Sequence, residues 1–216
     1  MRRTGLLLVI ALAACGGGAS QPVPPVAEVV DRAATAMASV ETASFSIERT
    51  GAPLQVAGLD FESASGVYLA PDRSRAVLEV RAGDVTARLG TIAIDDRVWL
   101  TDPITGDWSS IPPEDGFNAA SVFEAWPTIL RDDLGGAAVR REGGALVLTG
   151  TVAGERIATL TAGVAEPQVS EAVVRLDPDT HRIRTIEFST EGPDGTSSWT
   201  IRLERYGEPV TVEPPS

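Results

Sequence analysis

Residues 170–206 read SEAVVRLDPDTHRIRTIEFSTEGPDGTSSWTIRLERY, three alternating apolar and polar runs separated by two turn sequences. The turn sequences are 177–180 (DPDT) and 192–195 (GPDG), and both are typical of hairpin turns. Because neighbouring strand residues point to opposite faces, the stretch predicts an antiparallel sheet with one apolar and one wet face. The apolar face in the first and last runs consists of Ala172, Val174, Leu176, Trp199, Ile201 and Leu203.

Similar short runs extend in both directions from this stretch. Their β-branched content and partial alternation predict further strands, and Gly, Pro and Asp mark the turns between them. Strands are predicted at 44–50, 61–70, 75–82, 85–94, 97–101, 138–143, 145–153, 155–162 and 209–213. Turns are predicted at 51–53, 70–72, 82–84 and 95–96.

Two segments carry helical periodicity instead. Residues 26–40 follow two prolines that suit a helix start, and their apolar residues recur at helical spacing. Residues 118–134 form a second apolar stripe that Pro127 is expected to kink or to split into two short helices. The stripe consists of Val122, Phe123, Trp126, Ile129 and Leu130. A static kink and a flexible lid at Pro127 are both open from the sequence.

The pattern predicts an α+β fold over residues 26–216, as a single domain. Its main element is a large curved antiparallel β-sheet, a half-barrel, with the N-terminal helix and the middle helical insertion packed on the concave face. A strongly bent sheet that holds few helices leaves room for an apolar cavity between the layers.

The N terminus reads MRRTGLLLVIALAAC, a basic pair, an apolar run and small residues before the single cysteine, Cys15. The pattern is typical of a bacterial lipobox. It predicts a signal peptide at 1–14, and a lipidated cysteine with a flexible tether at 15–25. An ordinary signal peptide with an incidental cysteine is the alternative. The lipobox interpretation places the domain at the extracytoplasmic face of the cell membrane, held there by acyl chains.

The formal charge of −12 argues against nucleic acid as a partner, because binding to phosphates needs clustered cations. Enzymatic chemistry has little to draw on: His181 is the only histidine and follows a turn, and neither a nucleophile elbow nor a phosphate loop is present. Asp95-Asp96 are expected at a hairpin tip, and Asp132-Asp133 are expected to be solvated near a helix end. The sequence therefore predicts neither an enzyme nor a cofactor.

Taken together, these motifs resemble the mycobacterial and actinobacterial LppX/LprA/LprF/LprG lipoproteins, which are relatives in fold of the LolA/LolB carriers. Trp99 stands where tyrosine is usual in that family, and the segment 109–116 is short and proline-rich, at the loop that borders the family's cavity entrance. The resemblance rests on the lipobox, the helix end at 36–40, the strands at 43–47 and 97–100, Asp107-Trp108, the kinked helix at 122–130, the turn at 177–180 and the ending 206–215.

The resemblance implies a half-barrel that binds acylated lipid or glycolipid in an apolar cavity and carries or presents it within the envelope. Residues predicted to line that cavity are Met37, Val40, Val122, Phe123, Trp126, Ile129 and Leu130. Ordinary core packing is the alternative for each of them. At the level of function, the alternatives are an envelope adaptor or sensor with a filled core and, more weakly, a hydrolase with a carboxylate site. An envelope transporter as a protein partner is left open.

Overall fold

The computed structural model describes residues 22–56, 59–113, 116–161 and 163–215. The signal peptide, Cys15 and the first half of the tether lie outside the described residues. Within the described ranges the chain forms three α-helices, one π-helical turn and twelve strands. The helices are α1 (Val26–Ala38), α2 (Ala119–Thr128) and α3 (Gly154–Leu160), and the π-helical turn is Ile129–Asp133. The strands are β1 (Thr42–Gly51), β2 (Gln55–Val56), β3 (Leu59–Leu69), β4 (Arg73–Ala82), β5 (Val85–Ile94), β6 (Arg97–Thr101), β7 (Trp108–Ile111), β8 (Leu134–Glu142), β9 (Ala145–Val152), β10 (Ser170–Leu176), β11 (Ile183–Gly192) and β12 (Gly195–Glu204).

The strands form one antiparallel, open and curved sheet, as the sequence predicts. Its order is β7-β6-β5-β4-β3-β1-β12-β11-β10-β9-β8, with β2 paired to β3. Strand β1 is the seam, because it pairs with β3 on one side and with the last strand, β12, on the other. The two edge strands, β7 and β8, are consecutive in sequence. The 22 residues between them must therefore cross from one edge of the sheet to the other, and α2 lies in that crossing.

Alternation in the late strands places one row of side chains against the helices. Phe188 of β11 lies opposite Ala172 on one side and Trp199 on the other, and Ile186 lies opposite Val174 and Ile201. All of these side chains are buried. The predicted hairpin turns at 177–180 and 192–195 are confirmed, since strands end and begin on either side of each.

The helical prediction is largely confirmed, with two differences of detail. Helix α1 ends at Ala38 rather than at residue 40. Helix α2 does not break at Pro127 but runs through it to Thr128, and the chain then changes to the π-helical turn. Asn118 begins α2, because its side-chain oxygen accepts the backbone N–H of Ala120 at 2.9 Å.

Two predicted strands are wrong. Residues 155–162, predicted as a strand from their β-branched content, instead contribute to helix α3, because the fully buried Ile157 and Leu160 recur at helical spacing. The domain therefore has a third helical unit where two were expected. Residues 209–213 join no strand ladder, and Pro209, Pro214 and Pro215 supply no backbone N–H for one. Strand β8 begins at Leu134, four residues earlier than predicted.

The C-terminal segment covers part of the outer face of the sheet. Val212 is 2% exposed and packs against Ile92 and Ile94 of β5. Partly buried residues complete this second, smaller apolar cluster: Val67, Leu69, Trp99 and Trp108. The half of the sheet that contains β5 is therefore apolar on both faces. The alternation in the late strands does not indicate this second apolar face.

No helix among the described residues is long and apolar enough to cross a membrane.

Candidate functional site

The candidate site lies between the helices and the concave face of the sheet. Helix α2 crosses this face and contacts β3, β4, α1 and α3. Each of the seven residues that the sequence predicts as cavity lining is at most 7% exposed, and all seven belong to one continuous apolar cluster. They are Met37, Val40, Val122, Phe123, Trp126, Ile129 and Leu130. Their contact with a ligand stays a prediction.

An aromatic group fixes α2 against the seam of the sheet. The Phe123 ring stacks on Tyr68 with centroids 4.3 Å apart and planes 2° apart. Phe45 lies 6.2 Å from Phe123 in an edge-on arrangement and 6.2 Å from Phe117. Burial raises the pKa of the Tyr68 phenol, and its hydroxyl donates to the Pro71 carbonyl at 3.1 Å. The sequence analysis missed Tyr68 and Phe117, although the alternation of β1 could have indicated Phe45.

The start of α2 is tied to the sheet by polar contacts. The Ser74 hydroxyl donates to the Asn118 side-chain oxygen at 3.3 Å, and the Thr91 hydroxyl donates to the Phe117 carbonyl at 3.2 Å. Beyond these two anchors, the inner face of α2 from Val122 onward is apolar. The helix is therefore fixed by hydrogen bonds at one end and held along its length by apolar contact.

A shallow groove of about 430 Å³, with both polar and apolar lining, opens between α1, the π-helical turn and the start of β8. Its apolar lining comes from Val26, Ala27, Val30, Leu130, Leu134 and Ala137. Arg131 at its rim donates to Asp31 at 3.3 Å and to Thr35 at 3.0 Å, and so bridges the π-helical turn to α1. Among the predicted lining residues, Leu130 is the one that reaches this groove. The sequence analysis assigned α1 a lining role through Met37 but missed Val26 and Val30, and it assigned no lining role to β8.

Trp126 carries a polar atom into the apolar layer, by which we mean the buried side chains between the helices and the sheet. Its side chain is 1% exposed, and its indole N–H has no hydrogen-bond partner in the part of the chain that the structure describes. Trp199, which is equally buried, donates its indole N–H to the Thr190 hydroxyl at 2.9 Å. Buried donors without acceptors are rare in folded proteins, so the Trp126 N–H is a notable feature of this layer.

The carboxylates that the sequence analysis weighed lie apart from this layer. Asp95 and Asp96 are exposed in the β5–β6 turn, as predicted. Asp132 is exposed, but Asp133 is half-buried and accepts from Arg156 of α3 at 2.7 Å, which corrects the expectation that both are solvated. His181 directly follows the turn at 177–180, as predicted, and its backbone N–H donates to the Asp177 carbonyl at 2.9 Å. The described residues contain no group of three or more His, Cys, Asp or Glu side chains placed to hold a metal ion.

Comparison with known proteins identifies the fold. The crystal structure of LprF from Mycobacterium bovis matches with a TM-score of 0.66 at 12% sequence identity, over 90% of this chain and 100% of that chain. The crystal structure of the Mycobacterium tuberculosis lipoprotein LppX matches with a TM-score of 0.60 at 16% identity, over 87% of this chain and 98% of that chain. No protein-family model and no curated protein sequence matches the chain. The resemblance to the LppX/LprF group is thus confirmed at the level of the fold.

Proposed function

We propose that this chain is a membrane-anchored lipoprotein that binds acylated lipid or glycolipid between its helical layer and its sheet. The observation that carries the proposal is the groove between α1 and the π-helical turn, which is continuous through Leu130 with the buried stripe of α2. The shared fold with LppX, a lipoprotein, and the lipobox at Cys15 support it.

The energetics favour a lipid over a polar ligand. Burial of an apolar methylene contributes about 0.8 kcal/mol, so one sixteen-carbon chain represents roughly 12 kcal/mol of transfer free energy. The groove lies beside the first turn of α1, where the tether that leads back to Cys15 meets the domain. A lipid taken from the anchoring membrane would meet the groove at this end of the domain.

One observation favours the second candidate, an envelope adaptor or sensor with a filled core. Trp126, Ile129 and Leu130 are each at most 2% exposed without any ligand, so these side chains already have protein partners. In that role the groove rim and the outer surface of α1 would form the binding surface. The two candidates differ in whether lipid enters the apolar layer.

Mass spectrometry of the full chain, extracted from a bacterial envelope in mild detergent, tests the proposal. A denatured mass above that of residues 15–216 reports covalent acylation at Cys15, and a further increase seen only under native conditions reports bound lipid. We expect both. A native mass without bound lipid, and without uptake of added phospholipid, would favour the adaptor.

A matched pair of variants locates the lipid. Val30→Glu places a carboxylate in the groove, whereas Val77→Glu places the same group on the outer face of β4, where Val77 is 42% exposed. Because a charge in an apolar site is costly, we expect Val30→Glu to lose most of the bound lipid and Val77→Glu to keep it. Equal loss in both variants would place the lipid elsewhere.

A further inference from the structure

A buried hydrogen-bond donor without a partner requires an explanation, and Trp126 supplies one such donor in the middle of the α2 stripe. A phenylalanine would fill much of the same space without carrying an unpaired N–H into the apolar layer. Trp199 shows that this fold can satisfy a fully buried indole, since Thr190 accepts its N–H at 2.9 Å. The N–H of Trp126 therefore lacks an acceptor among the described residues, and a ligand that enters this layer would supply one.

The position of Trp126 fits an acceptor on a lipid that enters by the groove. Leu130 lines the groove, and Trp126 precedes it by one helical turn, a rise of about 6 Å along α2. Further inward on the same stripe lies Phe123, stacked on Tyr68. A chain that follows the stripe from the groove thus passes the indole N–H before it reaches the aromatic group.

The surroundings favour a neutral acceptor over a phosphate. Two arginines on elements that pack against α2 are paired: Arg131 with Asp31 at 3.3 Å, and Arg156 with Asp133 at 2.7 Å. Arg73 and Arg75 of β4 are exposed on the outer face of that strand. A phosphate beside Trp126 would lie among apolar side chains without its charge balanced. An acyl-ester carbonyl is neutral, accepts hydrogen bonds, and stands at the start of the apolar chain.

We propose that the indole N–H of Trp126 binds the carbonyl oxygen of an acyl ester and so makes this site selective for ester-linked over ether-linked lipids. The inference rests on the proposed lipid-binding function and adds to it the chemical class of the ligand. The carbonyl lies one turn inward from the groove, and the acyl chain beyond it extends along α2 toward Phe123.

The test compares two lipids that differ only in their two ester carbonyl groups. The full chain, carrying Cys15→Ser to prevent acylation, is mixed with equal amounts of dipalmitoyl phosphatidylcholine and its di-O-hexadecyl ether analogue in detergent. The ratio of the two bound masses is then measured. From the usual net strength of one hydrogen bond, we expect a preference of about fivefold to tenfold for the ester. Trp126→Phe should bring the ratio close to one.

Trp199→Phe is the matched control, because it makes the same change at an equally buried indole whose N–H already has a partner. It should keep the ester preference. Equal uptake of ester and ether lipid by the protein that keeps Trp126 would overturn this inference alone. That measurement does not depend on the folding of either tryptophan variant. Loss of preference in Trp199→Phe as large as in Trp126→Phe would also overturn it. Uptake of neither lipid would overturn the lipid-binding proposal as well.

Discussion

Truncation of Phe123 to alanine separates a lipid-facing residue from an ordinary core residue. Phe123 is 4% exposed and stacks on Tyr68 at 4.3 Å, so its loss removes a large apolar contact and an aromatic pair. Buried Phe→Ala substitutions cost about 3–5 kcal/mol, of which the aromatic pair accounts for about 0.5–1.5 kcal/mol. Phe188→Ala is the control, because Phe188 is 5% exposed and stacks on Trp199 at 6.0 Å, on the sheet rather than on α2.

Urea unfolding of the lipid-free proteins should show similar losses for the two variants, with an unchanged denaturant slope. Lipid at one hundred times its dissociation constant then adds about 2.7 kcal/mol to any variant whose binding is unaltered. An acyl chain that places two or three methylenes in the void left by Phe123 should restore about 2 kcal/mol more in Phe123→Ala alone. Equal recovery in both variants would show that Phe123 is a core residue and would refute the reasoning.

Three further predictions concern the framework around the site. Hydrogen bonds from the backbone N–H of Thr180 and from Arg184 lower the pKa of Asp177 to about 2. Its carboxylate therefore stabilises the fold above pH 4, and that contribution is lost as the pH falls toward 2. Asp177→Asn should reduce the loss of stability between pH 4 and pH 2 in acid titrations followed by circular dichroism. Arg49→Met should lower the free energy of unfolding by about 3 kcal/mol in urea, because the buried guanidinium donates to the Phe61 carbonyl and to Asp60. A double variant that also carries Asp60→Asn should lose less than the sum of the two single losses. Deletion of residues 210–216 should uncover the outer apolar cluster around Val212 and raise the binding of a hydrophobic dye, with the core unfolding transition retained.

The sheet could be predicted well because its signals are local. Turn residues such as Asp177-Pro178 and Gly192-Pro193 bound each strand, and period-two alternation assigns the faces. The strand prediction for residues 155–162 was wrong. A short run with Ile and two Thr residues suits a strand by composition, but the burial of Ile157 and Leu160, three residues apart, decides for a helix. The strand prediction for residues 209–213 was wrong for a related reason, since Val212 is buried against the outer face without joining a strand ladder.

The candidate site could be predicted only in part. The α2 stripe is visible in the sequence because its residues are neighbours along one helix face. The groove is not visible, since it joins Val26 and Val30 to Leu130 and Leu134, about a hundred residues away, and their meeting depends on how α1 packs on the π-helical turn. The open N–H of Trp126 is equally hidden, because the lack of an acceptor is a property of the packed layer and not of the local sequence.

The topology explains how such a layer could admit a ligand without loss of the fold. The strand ladder runs unbroken from β7 to β8, and α2 takes no part in it. Asn118 and Phe117 tie the start of α2 to β4 and β5, and Asp133 with Arg156 ties the π-helical turn that follows α2 to α3. Between these ties the helix meets the sheet through apolar side chains. A lipid chain that enters there replaces contacts between α2 and the sheet with contacts to its own methylenes. These new contacts offset the free energy needed to separate the helix from the sheet, and the backbone hydrogen bonds of the sheet are unchanged.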